Sequence, residues 1–436
     1  MTFLLFLYFV GRRGREISES ARFFLDVATN KTFLIGFHLV FLGCYLLYLA
    51  FIHFKNVYRT HGKTVFAKQF GYRFVLPIAL ALIGIKTLIY ANTNEDHGYV
   101  WNEGAMNPTK KVKDLYAVDQ KQRGMSVFGW SDNNAGAIDT LIRAHTEWVA
   151  VVPFMYQEDE NTNLIRVPDD PQVFTRRDSA FIRTITELHD RGLRVHLKPH
   201  LWMGSGWRSN IQLENEVAWN AWFNSYEANM LRYAKMAALT HVELFCVGTE
   251  LKTSIKKQPH RWEKLILKIR EVYKGKLTYA ANWHDEYEHI MFWDQLDFIG
   301  IQAYFPLTKN EHPTLPEIEQ GWSKYLATME AFSSVHNKPI LFTEVGYKSE
   351  AGATIKPWEW DSFTSRFTKQ KSDRTQWLAY TALFNTVWDK PWFAGMYVWE
   401  WNNRTRPEDT GTDLNFSPRY KPAENVISKG FSKTYP

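Results

Sequence analysis

The chain has 436 residues, 16 % of them aromatic and 18 of them Trp, with a formal net charge of +6. The charge is unevenly placed: residues 1–92 carry 11 Lys+Arg against 3 Asp+Glu, and the remainder 41 against 43. A near-neutral main body excludes the basic footprint of a nucleic-acid-binding protein, and two cysteines, Cys44 and Cys246, exclude a disulfide framework.

The first element is apolar. Thr2–Val10 is too short to span a bilayer, and the basic cluster Arg12, Arg13 and Arg15 follows it, the reverse of a cleaved signal peptide. Phe33–Phe54 is a 22-residue stretch without Lys, Arg, Asp or Glu, long enough to span. A second run, Phe74–Ala91, is shorter and holds Lys86, which can snorkel. Two spans are expected. The loop 55–73 between them holds Lys55, Arg59, Lys63, Lys68 and Arg73 and no acid, whereas no Lys or Arg follows the second run until Lys110. This places the loop in the cytoplasm and the large domain outside, periplasmic or extracellular. The basic N-terminal flank, with Arg22 and Lys31, runs against that assignment. The expected division is a membrane anchor over 1–92, a polar linker over 93–120 and a catalytic domain over 121–436.

From there strand and helix patterns alternate. The strands expected are Gly124–Gly129, Trp148–Tyr156, Arg194–His200, Val242–Glu250, Lys276–Trp283, Asp297–Phe305, Pro339–Tyr347 and Phe393–Trp401. Helical spacing covers Ala135–Thr146, Asp178–Arg191, Glu216–Leu239, Arg261–Tyr273, Trp322–His336 and Thr375–Trp388, and the connection around Ile290–Leu296 is short. This is the order of an α/β (β/α)8 TIM barrel. The long connections Gln157–Arg177, Leu201–Asn215, Pro306–Gly321, Lys348–Ser372 and Asn402–Tyr420 mostly follow strand ends, where substrate loops belong. They carry Trp202, Trp207, Trp358 and Trp360, flat partners for the C–H faces of sugars.

Two glutamates stand out. Glu250 closes the run VELFCVGTE and Glu344 lies in PILFTEVGY, each after an apolar β-run and before a loop. Two carboxyl groups at barrel-strand ends can supply the two functions of glycoside cleavage: a proton for the leaving oxygen, and a nucleophile or base. Lys198, His200 and Trp202 end the third run and suit hydroxyl binding and stacking; Asn282 and Trp283 end the fifth. His196 and His200 have no third ligand at recognisable spacing, so neither a metal nor another cofactor is expected.

The segments VELFCVGTEL, KLTYAANW, DFIGIQAYFPL, KPILFTEVGY, WDKPWFAGMYVWEWN and KPAENVI resemble glycoside hydrolase family 113, a β-mannanase family in the retaining clan of (β/α)8 glycosidases, over roughly residues 124–430. The resemblance implies that Glu250 is the acid/base and Glu344 the nucleophile. Many families of the clan place Asn before the acid/base; here it is Thr249, as expected for this family. In such barrels a Tyr in the place of Tyr304 donates to the nucleophile, and Trp399 resembles the aromatic floor under the reacting sugar; each is otherwise a core aromatic. Alternation along the strand turns Glu400 away from the pocket if Trp399 faces it. The expectation is a membrane-anchored retaining glycosidase acting on a β-linked oligo- or polysaccharide, β-1,4-mannan by resemblance. A glycan-binding barrel without turnover and a transglycosidase are the alternatives.

Overall fold

The computed structural model describes residues 31–92, 99–109, 111–167, 178–360 and 368–434. The expectations for Thr2–Val10 and for the arginines at 12, 13, 15 and 22 lie outside these residues. The chain divides into two compact units at Leu88/Ile89.

In the first unit, α1 (Lys31–Phe70) runs through a π-helical turn, Gly71–Val75, into α2 (Leu76–Asn92). The described residues hold one candidate membrane span, Ile35–Leu88, by length and composition. This corrects the expectation of two separate runs joined by a loop: residues 55–73 are helical apart from Gly62, at φ 75°. Without proline, and with Lys, Arg and Gln among their side chains, they continue the helix. Gly62 is where the chain turns. Phe54 lies 5.0 Å from Phe70 and 6.1 Å from Phe74, ring centre to ring centre. A straight helix would hold Phe54 and Phe74 about 30 Å apart.

The second unit is a closed barrel of eight parallel strands. Its strands are β1 (Gln122–Phe128), β2 (Trp148–Val151), β4 (Arg194–Leu197), β6 (Leu244–Thr249), β7 (Lys276–Asn282), β8 (Phe298–Gln302), β9 (Ile340–Val345) and β10 (Phe393–Asn402), and β1 pairs β10 to close it. Each expected strand overlaps one barrel strand. The second and third break in two because Pro153 and Pro199 carry no amide proton for the ladder. Beyond those prolines β3 (Phe154–Gln157) and β5 (His200–Met203) pair with each other and carry Trp202 outward.

The outer ring is formed by α3 (Ala135–Arg143), α4 (Asp178–Asp190), α5 (Glu216–Leu239), α6 (Lys252–Lys257), α7 (Pro259–Val272), α8 (Leu315–His336), α9 (Asp373–Thr386) and α10 (Pro422–Phe431). Asn215 caps α5 by accepting from the Ala218 amide at 2.9 Å. Between β7 and β8 the described residues hold two 3-10 turns, Tyr287–His289 and Trp293–Gln295, in place of a helix. Residues 99–109 and 111–120 pack on the barrel: Asn102 and Asn425 exchange two hydrogen bonds of 2.8 Å, and the Glu147 carboxyl accepts from the amides of Leu115 and Tyr116.

Trp148, Leu244, Phe298, Leu341 and Tyr397 fill the barrel interior, while a larger apolar layer separates strands from helices. Behind β6 and β7 that layer is aromatic. Trp262 is fully buried, its ring 5.3 Å from Tyr226 and 5.8 Å from Tyr279, and its indole N–H donates to Ser254 Oγ. Trp262→Ala should therefore destabilise the domain by about 3–5 kcal/mol, read as a lowered denaturation midpoint; an unchanged midpoint would show that this layer collapses around the gap.

Candidate active site

Glu344 is inward against the strand's alternation. Leu341 belongs to the interior cluster and Phe342 to the outer layer, so strict alternation sends residue 344 outward. A register shift between β8 and β9, from Ile301↔Phe342 to Gln302↔Glu344, skips Thr343 and re-aims the side chain, a known use of strand irregularities beside active sites. The buried Glu344 carboxyl then meets three partners. Oε1 accepts from Lys198 Nζ at 2.5 Å and stands 3.3 Å from His200 Nε2; Oε2 accepts from the Tyr304 hydroxyl at 2.9 Å. Burial alone would raise its pKa, but Lys198, helped by His200, holds it well below the usual carboxylate range. Burial pushes the His200 imidazole down to about 4 against the pull of Glu344, so the ring is neutral at neutral pH. Burial and then the charge of Glu344 push the Tyr304 phenol well up, which keeps it a donor.

Glu250 follows β6 with its backbone in the left-handed region, φ 51°. Its amide donates to the Ala280 carbonyl at 2.9 Å and its carbonyl accepts from Ser209 Oγ at 2.7 Å. Oε1 accepts from Asn282 Nδ2 at 2.8 Å and Oε2 from Arg208 Nη2 at 2.5 Å. Arg208 lies 4.6 Å over the Trp207 ring.

The remaining expected residues gather around this pair. Trp399 lies nearly parallel to His200, 5.9 Å away and 12° between planes, with Phe128 and Trp360 at its edges. Trp202 is 52 % exposed and stands edge-on to Phe154. Trp283 packs between Phe305 and Trp358. Lys198 differs from its expected place at a sugar hydroxyl. It is fully buried, and Nζ donates to Gln302 Oε1, the Thr343 carbonyl and Glu344, so its three protons are taken. Glu400, read as turned away, carries a carboxyl that burial pushes up to about 7, with Asp413 and Glu344 adding to the rise.

Sequence reasoning missed Arg208, Gln302 and Glu286. Arg208 follows Trp207 in a connection already assigned to the catalytic face, which is a usable signal. Gln302 lies inside the expected strand Asp297–Phe305 and closes the observed β8. Nothing in the local pattern marks Glu286, a buried carboxyl on the connection between β7 and β8.

Two buried glutamates at strand ends on one rim of a parallel barrel, ringed by aromatic platforms, define a glycosidase of the (β/α)8 class. The chain belongs to glycoside hydrolase family 113, whose family model matches residues 125–420. Among solved structures it is similar to the family 113 β-mannanase AaManA from Alicyclobacillus acidocaldarius in complex with ManMIm. Identity is 29 %, the match covers 72 % of this chain and 97 % of that one, and the TM-score is 0.63. A family 113 β-1,4-mannanase, also solved as a complex, matches at 24 % identity over 72 % and 99 % of the two chains, with the same TM-score of 0.63. No curated protein sequence matches the chain.

Proposed function

We propose that the barrel is a retaining glycosidase acting on β-linked mannan or manno-oligosaccharides, with Glu344 as nucleophile and Glu250 as acid/base. The observation that carries this reading is the asymmetry of the two carboxyls. Glu344 is held ionised inside the barrel by Lys198, helped by His200, and accepts from the Tyr304 hydroxyl, as a nucleophile needs. Glu250 sits across the rim beside Arg208 and Asn282. In the first step a Glu344 oxygen bonds to the anomeric carbon as the glycosidic C–O bond breaks, and Glu250 gives its proton to the departing oxygen. In the second, Glu250 takes a proton from water, the water oxygen bonds to the anomeric carbon, and Glu344 leaves as carboxylate. Mannose as the sugar rests on family membership and on the relatives described as β-mannanases. Trp399 is the floor of the reacting subsite, Trp202 and His200 line its glycone side, and Trp283 its leaving-group side. No metal or organic cofactor enters these steps.

We also propose that residues 1–92 anchor the enzyme through two spans, 33–54 and 74–91, that 93–120 connect them to the catalytic domain over 121–436, and that the catalytic domain lies outside the cytoplasm. The reversal at Gly62 and the basic residues around it support this. A reporter fused after Pro436 should behave as exported; activity confined to the cytoplasm would overturn the orientation.

The roles separate by leaving group. Glu344→Ala should lose turnover on every substrate. Glu250→Ala should lose about 10²–10⁴-fold on unactivated manno-oligosaccharides yet still form the glycosyl-enzyme from an activated aryl β-mannoside, and azide should then release the β-glycosyl azide. β-Azide from the Glu344 variant instead would reverse the assignment. Analysis of products, including the anomer first released, distinguishes retaining hydrolysis from transglycosylation and from binding without turnover.

Lys198 gives a pH test. Lys198→Met removes the cation that offsets burial of Glu344, so the carboxyl pKa rises and less of it is ionised at low pH. The acid limb of kcat/KM for an activated aryl glycoside should move upward by about 1–3 pH units; an unmoved limb would remove Lys198 from control of the nucleophile.

A further inference from the structure

Glu286 closes the turn that follows β7, on the connection where two 3-10 turns replace a barrel helix. It is 1 % exposed. One carboxyl oxygen accepts from the Tyr279 hydroxyl at 2.7 Å, the other from the Asn282 amide at 2.6 Å. Both partners lead to Glu250. The Tyr279 hydroxyl accepts from the Leu251 amide at 2.6 Å, the peptide unit immediately after Glu250. The Asn282 side chain donates to Glu250 Oε1 at 2.8 Å. A single carboxyl thus grips both the backbone and the side-chain support of Glu250, at a point where the φ of 51° is uncommon for a residue with a Cβ.

A buried carboxyl is costly to keep. Burial pushes the Glu286 acid up, with the nearby Glu250 adding to the rise; the Asn282 amide and the Tyr279 hydroxyl, both donating to it, oppose the rise and are the donors its ionised form needs. An apolar side chain would fill this space without that cost, and the steps assigned to Glu250 and Glu344 make no use of it.

We propose that Glu286 is a positioning residue that holds Glu250 aligned for proton transfer, through Tyr279 on the backbone side and Asn282 on the side-chain side. The inference rests on the reading of Glu250 as acid/base. It requires that the loss of Glu286 be felt in proton transfer and only there. Glu286→Gln is the fitting change: the shape is kept, but the amide nitrogen has no acceptor lone pair, so either the Tyr279 or the Asn282 link is lost.

The test compares kcat/KM for a manno-oligosaccharide, whose leaving group needs protonation, with that for a dinitrophenyl β-mannoside, whose leaving group does not. Glu286→Gln should lose about 10–100-fold on the first, within the range that acid–base help supplies, and less than about 3-fold on the second. In a Glu250→Ala background the same change should cost less than about 3-fold on either, because residues acting through one group are not additive. Equal losses on both substrates, or the same further loss without Glu250, would overturn the proposal and leave Glu286 a purely structural residue. If Glu286→Gln does not fold, Tyr279→Phe cuts the backbone link alone and is judged by the same two comparisons. A Glu250→Ala enzyme with no leaving-group dependence would overturn the acid/base reading and this inference together; one that keeps the dependence while Glu286→Gln shows none overturns only the inference.

Discussion

The Lys198–Glu344 ion pair is the constraint on which the rest of the site depends. Both side chains are almost wholly withdrawn from water, and neither charge could stay there alone. Lys198 comes from the end of β4, Glu344 from β9, and the other two Lys198 protons go to Gln302, closing β8, and to the Thr343 carbonyl. The ammonium therefore ties one side of the barrel to the other at the catalytic rim. It also fixes what the neighbours can be. Burial, helped by the charge of Lys198, keeps His200 neutral, and Tyr304 serves Oε2 as a donor.

The bulk of the fold was legible because its pattern is local. Strands read as apolar or β-branched runs and helices as 3.6-residue periodicity, and both signals depend only on neighbours along the chain. What was not legible is non-local. Alternation alone would have turned Glu344 outward; the register shift that brings it in is a property of how β9 pairs with β8. The partner of Lys198 is 146 residues away along the chain, so a lysine beside His200 reads as a sugar ligand until the barrel closes. Glu286 looks like any loop acid, since only Tyr279 and the Asn282 amide give it a purpose. In the first unit the two apolar runs were readable, whereas helicity through residues 55–73 was not, because basic residues serve equally in a helix or a loop.

The breaks at Pro153 and Pro199 show how loop and strand share the work. By ending β2 and β4 early, they let β3 and β5 form a ribbon above the rim. That ribbon leads Trp202 toward solvent while His200, at its base, remains against Glu344. A continuous strand would have kept this chain in the barrel wall; the prolines convert the same residues into part of the cleft.

The two carboxyls differ in what holds them, and the difference fits the roles proposed for them. Glu344 is gripped by Lys198 and Tyr304, just past the ends of β4 and β8, so its charge changes only when it forms a bond. Glu250 is held on one oxygen by Asn282, itself anchored by Glu286, and on the other by Arg208 from the connection after β5. Arg208 is the more exposed member of that ion pair and rests on the Trp207 ring, itself 41 % exposed. An acid/base must meet the glycosidic oxygen and then a water, and a guanidinium on Oε2 occupies one of the two oxygens available for that. In the proposed mechanism, then, Arg208 has to loosen from Oε2 when a sugar enters, while Asn282 and the buried carboxyl behind it hold Oε1 in place.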